Sequence, residues 1–529
     1  MNKKTLAIFL IIIFICFPVY SQEYDNIESE TDNYPELDSE FTDIEPQEDS
    51  VFIVNSFLFN IKGFTRPYAL IYKGDLIVGE ELNGLSELEK YIQEKTQKLY
   101  NERVLDSVTI DYVLAPVRED GKYPVDIIID VKDTWNIVAI PRPKISSNSG
   151  YEITLKARDY NFLGTMTPLR LDIGYIFDEE EKHSVILGLD SNTLFRLFNH
   201  NWFFLFVNDF VYRADTEQPY YYKNKTGLSV EFPVKKTTIT AGFIESFILN
   251  EENPDNYKTL YGNFQDGFYM TSSPYVTWEI PTGLEVGVWD ELIYLPGITA
   301  VFYHEFSEWP LDEIRNGPVL SFKNNLGFKR IDWLGNFRNG LDVSVDSSFD
   351  LNFYRLNNNE NPWSSKFVFS GIGHFKILDF FGISTELKFR HWHSFEEKYK
   401  DFFLETNAGD VLRGILDKEI CADYMLSLNL DFPFRILRFA PSKWADKEKL
   451  RIFNFELYLS PILDFALYHD PINKKDFNFQ NILVTGGFEV IIFPEYFRSL
   501  YLRISYGRNF TDSYLKSKNE IYVGTDFHF

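Results

Sequence analysis

The chain has 529 residues, a formal net charge of −26 and a pI near 4.8. That charge excludes a nucleic-acid binder, because such a protein must bring cations to neutralise phosphates. Aromatic residues make up 17% of the chain, with 51 Phe and 32 Tyr, and beyond the N-terminus no run of about eighteen apolar residues occurs, so a helical membrane protein is excluded as well.

Met1 to Ser21 reads as a secretory signal peptide: Lys3 and Lys4, an apolar stretch from Leu6 to Pro18, then Val19 and Ser21 before Gln22. A lipoprotein signal built on Cys16 is the alternative, with the bulky Ile15 against it. Export follows in either case. Removal of the signal leaves Cys421 alone, with no partner for an internal disulfide. Residues 22–50 hold a dozen carboxylates and no Lys or Arg. This acidic linker has too few apolar groups to offset its ordering entropy and is expected to be disordered, a solvated tether.

Residues 51–136 change to a compact mixed pattern. A strand "FLFNIKGF" closes at Gly63, Thr65 and Pro67 open a helix, and Ser86 with Glu89 forms a capping box for a second helix that sets Leu88, Ile92, Lys95 and Leu99 on one face. Two strands follow, "SVTIDYVL" and "YPVDIIIDV", around the turn "REDGK". The order strand, helix, helix, strand, strand predicts one small α+β sheet with its helices on one face. The stretches "NIKGFTRPYALIYKGDLIVGEEL" and "VDIIIDVKDTW" resemble a POTRA domain, with Gly63, Gly74 and Asp75 at its corner. Only one such unit is visible.

Residues 137–529 alternate apolar and polar side chains. In "LRLDIGYIF", Leu169, Leu171, Ile173, Tyr175 and Phe177 oppose Arg170, Asp172 and Gly174; in the terminal "EIYVGTDFHF", Ile521, Val523, Thr525, Phe527 and Phe529 oppose Glu520, Tyr522, Gly524, Asp526 and His528. A soluble sandwich alternates too. Signal peptide, aromatic excess and alternation sustained to Phe529 together favour a membrane barrel, whose sheet must close to pair its backbone. The length suits about sixteen antiparallel strands, so the predicted fold is mainly β: a transmembrane barrel preceded by one small α+β domain.

Within the barrel, "LRGI" at Leu412 to Ile415, followed by "ADYMLSLNLDFPF", resembles the arginine–glycine loop and next strand of the BamA and TamA superfamily of outer-membrane assembly barrels. That resemblance implies a loop folded back into the lumen with Arg413 and Gly414 at its tip, Asn429 at a place that is often acidic, and Asp464 as the acidic residue of the next strand. Ile415 stands where the family usually has Phe or Tyr. "YEITLKARDYNFLGTM" resembles the family's first barrel strand, with its turn at Asn161 to Thr165, and Phe529 resembles the terminal insertion signal.

The implied function is a non-enzymatic outer-membrane protein, its POTRA domain in the periplasm, that assists insertion or translocation of other proteins. It would do so through a seam between the first strand, about 151 to 157, and the last, about 519 to 529, with Ile521, Val523, Phe527 and Phe529 on the terminal strand. The implied partners are outer-membrane lipids, unfolded or nascent client proteins and periplasmic accessory factors; no cofactor is implied. A passive pore or surface antigen of the same fold is the rival, and a two-partner secretion transporter is a third reading, disfavoured by the single POTRA unit. His391 and His393 share a strand face but lack a third metal ligand, and no nucleophile triad or phosphate loop can be assembled from the sequence.

Overall fold

The computed structural model describes residues 50–524 apart from 119, 147–149, 178–182, 215–218, 251–266, 287–290, 308–316, 394–410, 417–419, 421, 471–472, 497–500, 512–514 and 516–518. The signal peptide, nearly all of the acidic linker, Cys421, Phe527 and Phe529 lie outside the described residues.

The N-terminal domain contains β1 (Val51–Lys62), α1 (Pro67–Gly74), β2 (Glu81–Asn83), α2 (Leu85–Asn101), β3 (Leu105–Leu114) and β4 (Tyr123–Asp133), with sheet order β2-β1-β4-β3. β1 runs parallel to β4, which requires a crossover, and the two helices supply it. Phe52, Val54, Leu70, Leu88, Leu99, Leu105, Ile127 and Ile129 fill the space between helices and sheet. Pro67 occupies the first helical turn as its missing N–H favours, but the residue before it, Arg66, is the cap. Thr65 is drawn away to Asp133. The capping box is not formed either: α2 starts two residues earlier, with Gly84 rather than Ser86 as its cap, and Glu87 rather than Glu89 turns back to accept the Asn83 N–H at 2.6 Å.

The barrel follows: β5 (Ile137–Ser146), β6 (Gly150–Asp159), β7 (Leu169–Phe177), β8 (His183–Leu197), β9 (His200–Arg213), β10 (Tyr220–Val234), β11 (Thr237–Leu249), β12 (Phe268–Glu285), β13 (Glu291–Ser307), β14 (Val319–Leu334), β15 (Phe337–Asn352), β16 (Trp363–Leu378), β17 (Phe381–His393), β18 (Tyr424–Asp431), β19 (Phe434–Phe439), β20 (Phe455–His469), β21 (Leu483–Pro494), β22 (Leu502–Asn509) and β23 (Asn519–Gly524). All nineteen close into one barrel. β18 and β19 are two halves of one stave, both pairing with β17 and β20 and interrupted at Phe432–Pro433, where proline has no N–H to give the ladder. The described barrel therefore has eighteen staves rather than about sixteen. Much of the difference lies in the turns at the domain end, several of which take only two residues: Phe198 and Asn199, both in the left-handed region, and Lys235–Lys236. Less chain spent on turns leaves more for strands. An even number of staves directs the end of β23, at Gly524, toward the end at which the N-terminal domain sits.

The first barrel strand is β5, not the segment about 151 to 157. That segment is β6, the second strand, and its "NFLGT" turn leads into β7. The outward face is apolar: Ile173, Tyr175, Leu228, Phe243, Val276, Ile298, Phe322, Leu387 and Ile521 are all exposed. The opposite parity carries Arg170, Asp172, Lys225, Asp342, Lys388 and Glu520. A closed sheet, apolar outside and charged inside, is the architecture that spans a bilayer with strands. Among the described residues no helix is long and apolar enough to cross one.

Candidate functional site

The chain between β17 and β18 returns into the lumen. Asn429 donates its amide N–H to the Val411 carbonyl at 2.6 Å, and Val411, Leu412, Ile415 and Ile420 pack on Met425, Ala466, Tyr468 and Leu483 of the wall. Desolvation by this apolar collar sets the electrostatics of the tip. Arg413, 4% exposed, meets Asp464, 0% exposed, through its backbone N–H and its Nε–H, both at 3.0 Å, and through Nη2 in the bidentate fork that guanidinium and carboxylate geometry favours. Its Nη1 reaches Asp431 at 2.5 Å and Glu489 at 3.4 Å. Arg503 adds a second cation, 3.5 Å from Glu489. Three carboxylates thus face two guanidiniums, with Thr485 donating its hydroxyl to Asp464 at 3.4 Å.

Gly414 makes the next contact possible. Its φ of +101° lies where L side chains are strained, and a Cβ there would stand 2.7 Å from the Arg508 backbone nitrogen. Opposite it, a Cβ on Gly507 would stand 2.5 Å from the Arg413 carbonyl carbon. Two glycines let loop and wall touch backbone to backbone. The Gly414 N–H then reaches the Glu520 carboxylate of β23 at 2.9 Å, and Arg503 stacks on Tyr522 of the same strand at 4.8 Å. The tip of the lumenal loop is fastened to the last strand of the barrel.

At the other end the N-terminal domain sits across the mouth. Gly63 approaches Asp133 so closely that a Cβ would meet its carboxyl at 2.3 Å, and Asp133 accepts from the Phe64 N–H at 2.7 Å, the Thr65 hydroxyl at 2.6 Å and the Asn161 amide at 3.2 Å. That carboxylate joins the Gly63 corner to the "NFLGT" turn. Gly74 packs against Leu76 and Leu99, and Asp75, left-handed at φ 50°, ends α1 and accepts Lys95 at its carbonyl. From α2, Asn101 clasps the β14–β15 hairpin through Asp332 and the Trp333 N–H, each at 3.0 Å, while Arg103 lies 4.1 Å over the Trp333 ring. Farther round, Asp106 pairs with Arg451 at 2.7 Å. Burial would push the Asp106 carboxyl up, but hydrogen bonds from Arg451 and Lys132 outweigh it and hold it below its ordinary value. The hairpin tip turns inward, where Phe337, Tyr458 and Phe493 stack edge-on at 5.1 and 5.3 Å beside Trp333.

Of the residues singled out in the sequence, Arg413, Gly414, Asn429 and Asp464 converge on one site, with Asn429 holding the loop backbone rather than the guanidinium. Ile521 faces outward on β23, and Val523 shares its parity. Gly63, Gly74 and Asp75 lie at the other end. His391 and His393 point outward, His391 toward Tyr424 at 6.1 Å, and among the described residues no cluster of His, Cys, Asp and Glu suits a metal. Sequence reasoning missed Asp431, Glu489, Gly507 and Glu520. Asp431 was within reach, since it stands two residues from Asn429 and shares its face by strand parity; the other three are set only by the wall that the loop meets.

The sequence matches no protein-family model and no curated protein. Its fold is similar to solved structures of low identity: BamA from Haemophilus ducreyi lacking POTRA domains 1-3, 14% identical over 90% of this chain and 85% of that one with a TM-score of 0.41; CdiB from Acinetobacter baumannii, 13% identical over 89% and 73% with a TM-score of 0.45; and CdiB from Escherichia coli, 8% identical over 91% and 92% with a TM-score of 0.39.

Proposed function

We propose that this chain is an outer-membrane barrel of the BamA and TamA kind, with its N-terminal domain acting as a single POTRA domain in the periplasm. It assists the insertion or translocation of other proteins through the seam between β23 and β5, without enzymatic chemistry or a cofactor. Its partners are outer-membrane lipids and unfolded client proteins.

The observation that carries this reading is the hydrogen bond from Gly414 to Glu520. A passive pore needs a wall and a constriction; it has no need to fasten a lumenal loop to the strand at the seam. A barrel whose seam yields to a client strand does need it, because the last strand must keep its place while its neighbour moves. Arg413→Ala supplies the test. With the variant inserted at normal level, the assembly reading expects a fall in the surface level of other outer-membrane proteins, read by quantitative proteomics of the membrane fraction. An unchanged outer-membrane proteome, both in this variant and on depletion of the protein, would favour the pore.

A further inference from the structure

β5 carries two prolines, Pro141 and Pro143, in the middle of a ten-residue barrel strand. Their place in the hydrogen-bond ladder can be read from one bond. Asn136 and Tyr160 are opposite each other in the continued β5–β6 register, and the Tyr160 N–H donates to the Asn136 carbonyl at 3.0 Å. In an antiparallel pair, residues that exchange such bonds alternate with residues whose N–H and C=O point the other way. Val138, Ile140, Arg142 and Lys144 therefore face β6, and Ile137, Ala139, Pro141, Pro143 and Ile145 face β23 across the seam.

Both prolines thus lack their N–H on the seam side alone, and the β5–β6 ladder is untouched. Between Ala139 and Ile145 the seam edge of β5 offers carbonyls but no donor for about 20 Å. In addition, the Pro141 ring sets carbon where an incoming carbonyl would seek hydrogen. Proline at such positions is how sheet edges refuse an added strand. β23 has no proline between Asn519 and Gly524 and keeps its full set of donors.

We propose that β5 is a blocked edge, so that a client β-strand admitted at the seam is held by the edge of β23 and merely abuts β5. The inference rests on the seam reading given above and names which side of the seam binds. The partner it fits is an extended apolar–polar strand whose carbonyls and N–H groups pair with β23.

The test uses the full-length protein in detergent, with a photoreactive p-benzoylphenylalanine in place of Ala139 or Val523, and as probe the synthetic peptide LRLDIGYIF, the sequence of Leu169–Phe177. Capture at position 523 is expected to exceed capture at 139 by about tenfold or more. Pro141→Val with Pro143→Val restores two donors, raises capture at 139, and slows hydrogen exchange of the β23 amides by roughly tenfold to a hundredfold. Should the double variant fail to insert, Pro143→Val alone carries the same signs with a several-fold effect. Equal capture at both positions in the unaltered protein overturns the proposal, as does a valine variant that leaves capture and exchange unchanged. No capture at either position in any variant, with the β23 amides fully protected, overturns the seam reading itself and this inference with it.

Discussion

Arg413→Ala removes one guanidinium from a site in which Asp464 is 0% exposed and Glu489 2% exposed. Three carboxylates would then share Arg503 alone, which contacts only Glu489 among them. Taking one partner from a buried ion pair costs about 3–5 kcal/mol, because the remaining charge is left without compensation or must take up a proton. Arg413→Lys keeps a charge but cannot fork onto Asp464 and reach Asp431 together, so about 1–3 kcal/mol is expected. The cost falls on loop docking before it falls on the barrel, since the strand ladder itself is unchanged. Limited proteolysis of the folded protein reads this directly: in Arg413→Ala the chain between β17 and β18 becomes cleavable while the barrel core stays protected, and Arg413→Lys lies between. A cycle with Asp464→Ala adds the decisive measurement. The double variant should be less destabilised than the sum of the singles by 1 kcal/mol or more. Strict additivity, or an Arg413→Ala loop as resistant as the native one, would refute the claim that this cluster holds the loop.

Gly507→Ala should release the same loop although it lies on β22, because its Cβ would stand 2.5 Å from the Arg413 carbonyl carbon; proteolysis is expected to match that of Gly414→Ala, at a cost of about 1–3 kcal/mol. Arg103→Ala with Asn101→Ala strips the β14–β15 hairpin of its stacking and two of its hydrogen bonds, so hydrogen exchange should rise at Trp333 to Phe337 with the far end of the barrel unaffected. The Asp106–Arg451 pair predicts a pH dependence. Asp106 is held below its ordinary value when docked, so its contribution is present above the ordinary carboxylate pKa and is lost as the pH falls through the lowered one. Crosslinking between the domain and the β19–β20 connection should weaken in acid below about pH 4, and Asp106→Asn should remove that dependence.

Strand parity made the barrel legible. Alternation in "LRLDIGYIF" assigned the outward and inward faces correctly because a half-buried strand has no other way to satisfy both. Strand number was less legible: the two-residue turn at Phe198–Asn199 carries neither glycine nor proline, so only its backbone angles mark it. Similarly, the "NFLGT" turn belongs to the second hairpin because β5, with Pro141 and Pro143, does not read as a strand at all; prolines are tolerated there only by virtue of the side to which their nitrogens point. At the lumenal site, Arg413 and Asp464 were legible through resemblance. Glu489, Gly507 and Glu520 were not, since their role depends on which wall a long loop happens to meet, and nothing local to "GGFEVII" or "SYGRN" encodes that.

The contacts at the two ends of the barrel bear on opposite sides of the seam. At the far end the loop tip grips β20, β21 and β23 through Asp464, Glu489 and Glu520. At the domain end, Asp133 and Arg66 grip the β6–β7 turn, while Thr134 crosses to the Tyr496 carbonyl at 3.2 Å. The domain end of the seam is therefore bridged by the N-terminal domain, and the far end of the last strand is anchored to the loop. It is in the far half of β5 that Pro141 and Pro143 remove seam donors. On the proposed seam reading, the far end yields first, with β5 as the moving edge and β23 as the fixed one. Hydrogen exchange across the seam should accordingly be faster at Ile145 than at Ala139, whereas uniform exchange along β5 would mean that the domain contacts do not hold the near end.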